Sequence, residues 1–224
     1  MNWTRAMRRI FRLPNAWLLG ALIFLVAIYP FLDEKPAGRA AIAMFDLAIL
    51  VLALRASRAT GYETRFGYFL VIPAMGLHAA AALGGQSSLY AFSLVAQALF
   101  HGFVVFSLMR YMLRDDVMTL DELFAAAGLY VLMAFVFGYL YALLEHLVPG
   151  SFFINAANNP GEVTSWFDLL YFSFTTLTSV GFGEITPAND HARSLVMIQQ
   201  MMGVLYLALV ISRLVALQSQ RIRR

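Results

Sequence analysis

The feature that most limits how this chain can fold is a series of six long runs of apolar residues. The runs cover residues 17–32, 40–55, 66–83, 89–109, 123–148 and 194–217. A helix needs about 20 apolar residues to cross the roughly 30 Å of hydrocarbon in a bilayer. Only 13% of the chain is charged, about half the usual share in soluble domains. The pattern predicts an all-α membrane protein with six transmembrane helices.

The basic residues predict how these helices are oriented. With a cytoplasmic N-terminus, thirteen arginines lie on the inner side and three basic residues on the outer side. The inner set is Arg5, Arg8, Arg9, Arg12, Arg55, Arg58, Arg65, Arg110, Arg114, Arg213, Arg221, Arg223 and Arg224, and the outer set is Lys35, Arg39 and Arg193. An excess of Lys and Arg marks the cytoplasmic side. We therefore expect a multi-pass protein of a plasma membrane with both termini cytoplasmic.

A shorter segment lies between the fifth and sixth runs. Residues 165–177 are too few to span a bilayer, and the glycine-rich sequence TSVGFG follows at 178–183. Ser165 and Asp168 have the spacing of a capping box, which predicts a short helix that ends within the membrane. Non-helical backbone at that depth is tolerated only where protein or a water-filled cavity satisfies its polar groups. The carbonyls of this TSVGFG segment therefore need either a polar occupant or polar neighbours, and a dehydrated cation would be such an occupant.

Residues 168–187, DLLYFSFTTLTSVGFGEITP, resemble the pore helix and selectivity filter of potassium channels of the six-transmembrane, one-pore-loop type. The likeness is to bacterial pore modules, and SVGFG in place of the usual TVGYG is similar to ether-à-go-go-type channels. The resemblance implies a re-entrant pore helix at 165–177 and a filter at 178–183. It also implies a homotetramer around one ion path in a prokaryotic plasma membrane, with potassium as the transported ion.

The same resemblance implies roles for single residues. The implied filter residues are Thr178, Ser179, Val180, Gly181, Phe182 and Gly183, with K⁺ at the backbone of Ser179, Val180, Gly181 and Phe182. Gly181 and Gly183 can adopt the φ values that let successive carbonyls point one way. Ser179 would add its hydroxyl at the inner end. Phe182 replaces a tyrosine and so lacks a hydroxyl that normally hydrogen-bonds behind the filter.

Three further positions flank this segment. We expect Glu184 and Asp190 to provide negative charge at the outer pore mouth, because acidic groups raise the local cation concentration. Gly203 lies 20 positions after Gly183, where relatives often have a hinge glycine for gating. A glycine in a membrane helix also permits close packing, and both interpretations stay open.

The predicted organisation has two domains. Residues 1–109 form a four-helix transmembrane domain that resembles a voltage sensor without gating arginines, and residues 110–121 are a cytoplasmic linker. Residues 122–224 form the pore domain, with helices at 123–148 and 194–217. The fourth run contains no arginine, and each charge that moves contributes only about 2.3 kcal/mol per 100 mV. We therefore expect little or no intrinsic voltage dependence.

One carboxylate, Asp46, lies inside an apolar run, and such groups are functional candidates. Residue counting puts it at about the membrane depth of His101. A His–Asp pair would titrate near neutral pH and make the two residues a possible proton-sensitive pair. The alternative is that each residue satisfies a neighbouring polar group.

The remaining residues argue against other classes of protein. The chain has no cysteine, which excludes disulfides and thiolate metal sites. We find no catalytic constellation, nucleotide motif or nucleic-acid signature, so we expect no enzyme activity, no cofactor and no nucleic acid partner. Membrane lipids are the expected surroundings, and no soluble regulatory domain is expected in the chain. A non-selective cation channel, or a non-conducting membrane sensor or scaffold, remains the alternative function.

Overall fold

The computed structural model describes residues 13–32, 48–49, 51–53, 63–84, 87–113, 119–155, 157 and 164–222. The chain divides into two compact units, Met1–Leu132 and Met133–Arg224. The division lies inside a long helix rather than in the linker predicted at 110–121.

The first unit is helical throughout its described part. Helix α1 is Pro14–Ile28, which a 3₁₀ turn at Tyr29–Phe31 continues, α2 is Glu63–Gly84 and α3 is Ser87–Met112. The long helix α4, Leu120–Leu147, begins in this unit. Most of the second apolar run, and Asp46 with it, lies outside the described residues; residues 48–49 and 51–53 of that run are helical.

Polar groups join three helix ends in the first unit. Asn15, at the start of α1, donates from its backbone N and from Nδ2 to the carboxylate of Asp121, over 3.2 and 2.6 Å. The hydroxyl of Tyr111, near the end of α3, donates to the same carboxylate over 3.2 Å. Thr119 and Glu122 form a reciprocal cap at the start of α4. This cap explains why α4 begins before the apolar run does, since a capped helix extends to its polar cap.

The second unit contains the rest of α4 and four further elements. These are strand β1 (Phe152–Ile154), helix α5 (Trp166–Leu177), strand β2 (Ile185–Pro187) and helix α6 (Asp190–Ile222). The strands pair antiparallel, with Phe152 opposite Pro187 and Ile154 opposite Ile185. The side chain of Asn189 accepts a hydrogen bond from the amide of Ala192 over 2.9 Å, and this cap begins α6 ahead of the predicted residue 194.

Four helical stretches in the described residues are long and apolar enough to cross a membrane. They are Pro14–Phe31, Leu89–Met112, Leu120–Leu147 and Asp190–Ala216. Helix α2 has 22 residues but is not among the four. The architecture fits an all-α membrane protein, to which the described part of the chain adds one two-stranded sheet.

Helix α6 is buried along one narrow stripe only. The buried positions repeat at intervals of four and three residues and are Ala192, Val196, Gln199, Gly203 and Tyr206. This spacing keeps side chains on one face of a helix. Large apolar side chains elsewhere on α6, such as Leu205 and Leu209, are exposed.

Candidate functional site

Helix α5 begins at the capping box that the sequence predicts. The hydroxyl of Ser165 accepts a hydrogen bond from the amide of Asp168 over 3.1 Å. The carboxylate of Asp168 in turn accepts one from the amide of Ser165 over 2.8 Å. The prediction of the capping box is thus confirmed. The cap fixes where α5 starts and, twelve residues later, where its C-terminal carbonyls lie.

The amides of the TSVGFG segment bind back to the end of α5. Four consecutive backbone N–H groups, those of residues 178–181, donate to carbonyls of the helix. The pairs are Thr178 to Phe174 at 3.0 Å, Ser179 to Thr176 at 3.1 Å, Val180 to Thr175 at 2.9 Å and Gly181 to Thr175 at 3.2 Å. The first part of the segment is therefore anchored through its amides.

Every second residue of the segment has a left-handed backbone. The φ angles are 59° at Ser179, 53° at Gly181 and 90° at Gly183. Val180 and Phe182, which lie between them, do not have positive φ. Residues of alternating hand turn successive peptide planes the same way, so that their carbonyls share one side instead of alternating as in a strand. The prediction for the two glycines is confirmed, whereas Ser179 adopts this conformation without being glycine, at a cost of about 1–2 kcal/mol.

The carbonyl oxygens of the segment have no protein partner within the described residues. No hydrogen bond to the oxygens of residues 178–183 occurs there, in contrast to the four that the amides donate. The C-terminal end of α5 also directs its negative partial charge toward the segment. Carbonyl oxygens without a protein partner are the kind of ligand that dehydrated cations take in channel proteins.

The flank of the segment is uncovered in the single chain. The side chains of Val180 and Phe182 are 53% and 71% exposed. A cavity of about 340 Å³ is lined by Ser179, Gly181 and Gly183 of the segment, and its other walls come from α5, β2 and α6. Exposed apolar side chains next to a polar site usually indicate that something else covers them.

Glu184 is held at both its main chain and its side chain. Its carbonyl accepts a hydrogen bond from the amide of Asn155 over 2.8 Å. Its carboxylate accepts a short hydrogen bond from the hydroxyl of Tyr171 on α5. That hydrogen bond raises the pKa of Tyr171 above its ordinary value of 10.0, and desolvation and the charge of Glu184 add to the effect.

Asp190, the second acidic residue predicted at the mouth, has a basic neighbour. Its carboxylate lies 3.3 Å from the guanidinium of Arg193, one turn along α6, and both side chains are exposed. Exposed pairs of this kind contribute at most about 1 kcal/mol. The pair does offset the negative charge of Asp190, which leaves Glu184 as the stronger candidate for attracting cations.

Gly203 packs against the end of α5. A Cβ built at Gly203 would lie 2.6 Å from the carbonyl oxygen of Leu177 and 3.0 Å from its Cδ1. No side chain fits at 2.6 Å from a backbone oxygen without a shift. The contact favours close packing as the role of Gly203, and its role as a hinge stays a prediction.

His101 is buried in the first unit. Its Nδ1 lies 2.8 Å from the carbonyl oxygen of Gln97, one turn earlier on α3. Asp46 lies outside the described residues, so the predicted pair of Asp46 and His101 stays a prediction.

Sequence reasoning missed a buried polar group in the second unit. The side chains of Tyr141, Ser173 and Gln199 come from three helices and form connected hydrogen bonds. Gln199 is a polar residue within the sixth apolar run, and its position there was the one feature of the sequence that could have indicated a buried polar group. No group of three or more His, Cys, Asp or Glu that could hold a metal occurs in the described part of the chain.

Comparison with known proteins gives one family and one relative. Residues 125–219 match the ion channel family. The potassium channel protein kcv of Paramecium bursaria Chlorella virus 1 is 36% identical over 55 residues, which is 24% of this chain and 58% of the viral protein. The chain thus spans less than two thirds of that relative. No solved structure matches. The residues that match the family include most of α4, α5, the TSVGFG segment and most of α6, so this likeness lies mainly in the second unit. It indicates a transport protein rather than an enzyme.

Proposed function

We propose that the protein is a potassium-selective channel, which conducts K⁺ passively down its electrochemical gradient. The observation that carries this proposal is the backbone of the TSVGFG segment, with left-handed φ at Ser179, Gly181 and Gly183 and free carbonyls beside anchored amides. The match to the ion channel family and the relative named a potassium channel support it.

In this proposal the ion exchanges its water shell for backbone oxygens. The carbonyls of Ser179, Val180, Gly181 and Phe182 form successive binding sites, and the hydroxyl of Ser179 contributes at the inner end. Binding at several closely spaced sites allows one ion to displace the next, so that selectivity and fast passage coexist. The hydrogen bonds to Thr175 and Thr176 hold the carbonyls at their spacing while ions pass.

The proposed functional unit is a homotetramer. A single TSVGFG segment supplies one row of carbonyls, whereas an ion must be surrounded, and four copies around an axis complete each site. The exposed Phe182 and the exposed apolar surface of α6 supply surface for such an assembly. Glu184 from four chains would then form a negative ring at the outer mouth.

The proposed setting is a prokaryotic plasma membrane, with lipid around the helices and both termini in the cytoplasm. The first domain is proposed to act without voltage sensing, because its fourth apolar run lacks arginine. A steep conductance–voltage curve of the purified channel would contradict this part of the proposal.

The test is ion flux through purified full-length protein in liposomes, with Gly181→Ala and Gly150→Ala as a matched pair. Both glycines have positive φ, 53° and 82°, and a Cβ would meet no atom within 4 Å at either site. The backbone strain is therefore similar, at about 1–2 kcal/mol, but only Gly181 belongs to the TSVGFG segment.

We expect potassium flux from the wild type and from Gly150→Ala, and loss of selective flux from Gly181→Ala. Equal sodium and potassium permeability in the wild type would indicate a non-selective cation channel. Absence of flux from well-folded protein would favour a sensor or scaffold. Equal effects of the two alanine substitutions would contradict the assignment of the segment.

A further inference from the structure

Three buried side chains in the second unit form one hydrogen-bonded group. Nε2 of Gln199 donates to the carbonyl oxygen of Ser173 over 3.0 Å and contacts its Oγ at 2.7 Å. Oε1 of Gln199 accepts a short hydrogen bond from the hydroxyl of Tyr141. Ser173 donates onward to the carbonyl oxygen of Ala134 over 2.7 Å. All three side chains are fully buried, and together they tie α4, α5 and α6 to one another.

The hydrogen-bonded group and the contact of Gly203 are separated by the same number of residues on α5 and on α6. Gln199 meets Ser173, and Gly203, four residues later, meets Leu177, which lies four residues after Ser173. Helices α5 and α6 are thus in register over one full turn. The carbonyls that anchor the filter amides belong to Thr175 and Thr176, and both lie between these two contact points.

An apolar side chain at 199 would fill the same space without the cost of burying an amide. Hydrogen bonds differ from apolar contacts because they fix both a distance and a direction. The amide of Gln199 satisfies its donor and its acceptor with groups on two different helices. It therefore fixes the height and the rotation of α5 relative to α4 and α6, together with the close contact at Gly203.

We infer that Gln199, bridging Tyr141 and Ser173, is a positioning residue that sets the cation selectivity of the TSVGFG segment. It acts through α5, whose Thr175 and Thr176 carbonyls hold the amides of the segment. This inference rests on the proposed function. Loss of the bridge lets the end of α5 shift, and the spacing of the four rows of carbonyls then changes.

The experiment compares the wild type, Gln199→Met, Tyr141→Phe and the double variant in liposomes. Methionine retains the length of glutamine without its hydrogen bonds. Gln199→Met alone leaves the buried hydroxyl of Tyr141 without an acceptor, which lowers stability, whereas the double variant removes that hydroxyl as well. Ser212→Ala is the control, because the hydroxyl of Ser212 donates to the Ala208 carbonyl of its own helix, at 2.7 Å, and to no other helix among the described residues.

Two quantities are measured, the ratio of potassium to sodium permeability and the temperature of thermal unfolding. We expect Gln199→Met to lower the permeability ratio about tenfold, as the loss of a buried hydrogen-bond bridge implies. In the double variant the unfolding temperature should recover while the ratio stays low. Ser212→Ala should change neither quantity.

If Gln199→Met keeps the potassium-to-sodium permeability ratio of the wild type, the inference is wrong and the proposed function stays intact. Recovery of the ratio together with stability in the double variant would also overturn it, since Gln199 would then have only a structural role. A wild type that conducts nothing, or that conducts both ions equally, would overturn the proposed function and the inference with it.

Discussion

Helices α4 and α6 are both long and apolar, yet they use their surfaces differently. The candidate spans have 28 and 27 residues, and the most apolar part of α4 is 61% buried whereas that of α6 is 22% buried. Apolarity alone does not separate a helix that packs within its own chain from one whose surface is left for lipid or for other copies. The difference is set by which faces meet neighbours, and three-dimensional packing decides that.

The two helices also approach α5 through different kinds of contact. A Cβ at Gly138 of α4 would lie 3.1 Å from Cδ1 of Leu170 and 3.3 Å from its Cα. A Cβ at Gly203 of α6 would lie 2.6 Å from the carbonyl oxygen of Leu177. A side-chain tip can rotate away, but a helix carbonyl moves only if the helix moves. Both contacts include a backbone atom of α5, but the contact at Gly203 is the closer and the less tolerant one.

The largest expected effect tests the difference in burial. Phe135 of α4 is fully buried against Trp166 and Phe174, whereas Leu209 of α6 is exposed. Phe135→Ala should lower the free energy of unfolding in detergent by about 4 kcal/mol, because it opens a cavity. Leu209→Ala should change that free energy little but weaken assembly, as measured by native mass or crosslinking. A large loss of stability of the monomer in Leu209→Ala would contradict the difference in burial between α4 and α6.

The second-largest expected effect distinguishes the contact of Gly203 with Leu177 from the contact of Gly138 with Leu170. Gly203→Ala should destabilise the protein by about 3 kcal/mol and abolish selective flux, because overpacking displaces the end of α5. Gly138→Ala is the matched control and should cost about 1 kcal/mol, since the side chain of Leu170 can yield. The measurements are denaturant unfolding and potassium flux in liposomes.

The hinge interpretation of Gly203 predicts a different outcome. Gly203→Ala would then conduct with unchanged ion selectivity, and only the fraction of time spent open would change in single-channel recordings. Truncating the side chain of Leu177 should not rescue Gly203→Ala, because the nearest atom is the backbone oxygen. Rescue by Leu177→Ala would show that the clash is with the side chain of Leu177 and not with its backbone oxygen.

The smallest expected effect lies at the outer end of α5. Tyr171 donates to Glu184, and its pKa is raised above 10.0 by that hydrogen bond. The protonated phenol is favoured in the folded protein, so its stabilisation is present below pH 10 and is lost as pH rises through the raised pKa. Tyr171→Phe should weaken potassium selectivity only a few-fold, since one exposed hydrogen bond is lost. The variant should also lack the wild type's decline in selectivity above pH 10, which flux measurements across that range would detect.

Local signals in the sequence predicted much of the second unit. The capping box at Ser165 and Asp168 is present, because its partners are three residues apart and interact whatever surrounds them. Positive φ at Gly181 and Gly183 is present as well, because only glycine adopts it without strain. Hydropathy located the long helices, though caps such as the one at Thr119 move their ends by a few residues.

Contacts between distant residues could not be predicted in this way. Strand β1 has three residues and pairs with β2 about thirty positions later, and no local pattern in the sequence indicates that pairing. The bridge of Gln199, Ser173 and Tyr141 joins residues 26 and 58 positions apart. Ser179 adopts positive φ because its amide is bound to Thr176, and no propensity of serine predicts that.

The anchoring of residues 178–181 has a consequence for amide hydrogen exchange. Their N–H groups lie in an irregular segment beside the proposed path for water and ions, where fast exchange would ordinarily be expected. All four are nevertheless bonded to carbonyls of α5, and a single oxygen, that of Thr175, accepts two of them. Slow exchange should therefore continue past the end of the helix for four residues and cease at Phe182, whose amide has no partner within the described residues. The last protected amide would then show how far along the proposed ion path the backbone is held by hydrogen bonds to α5.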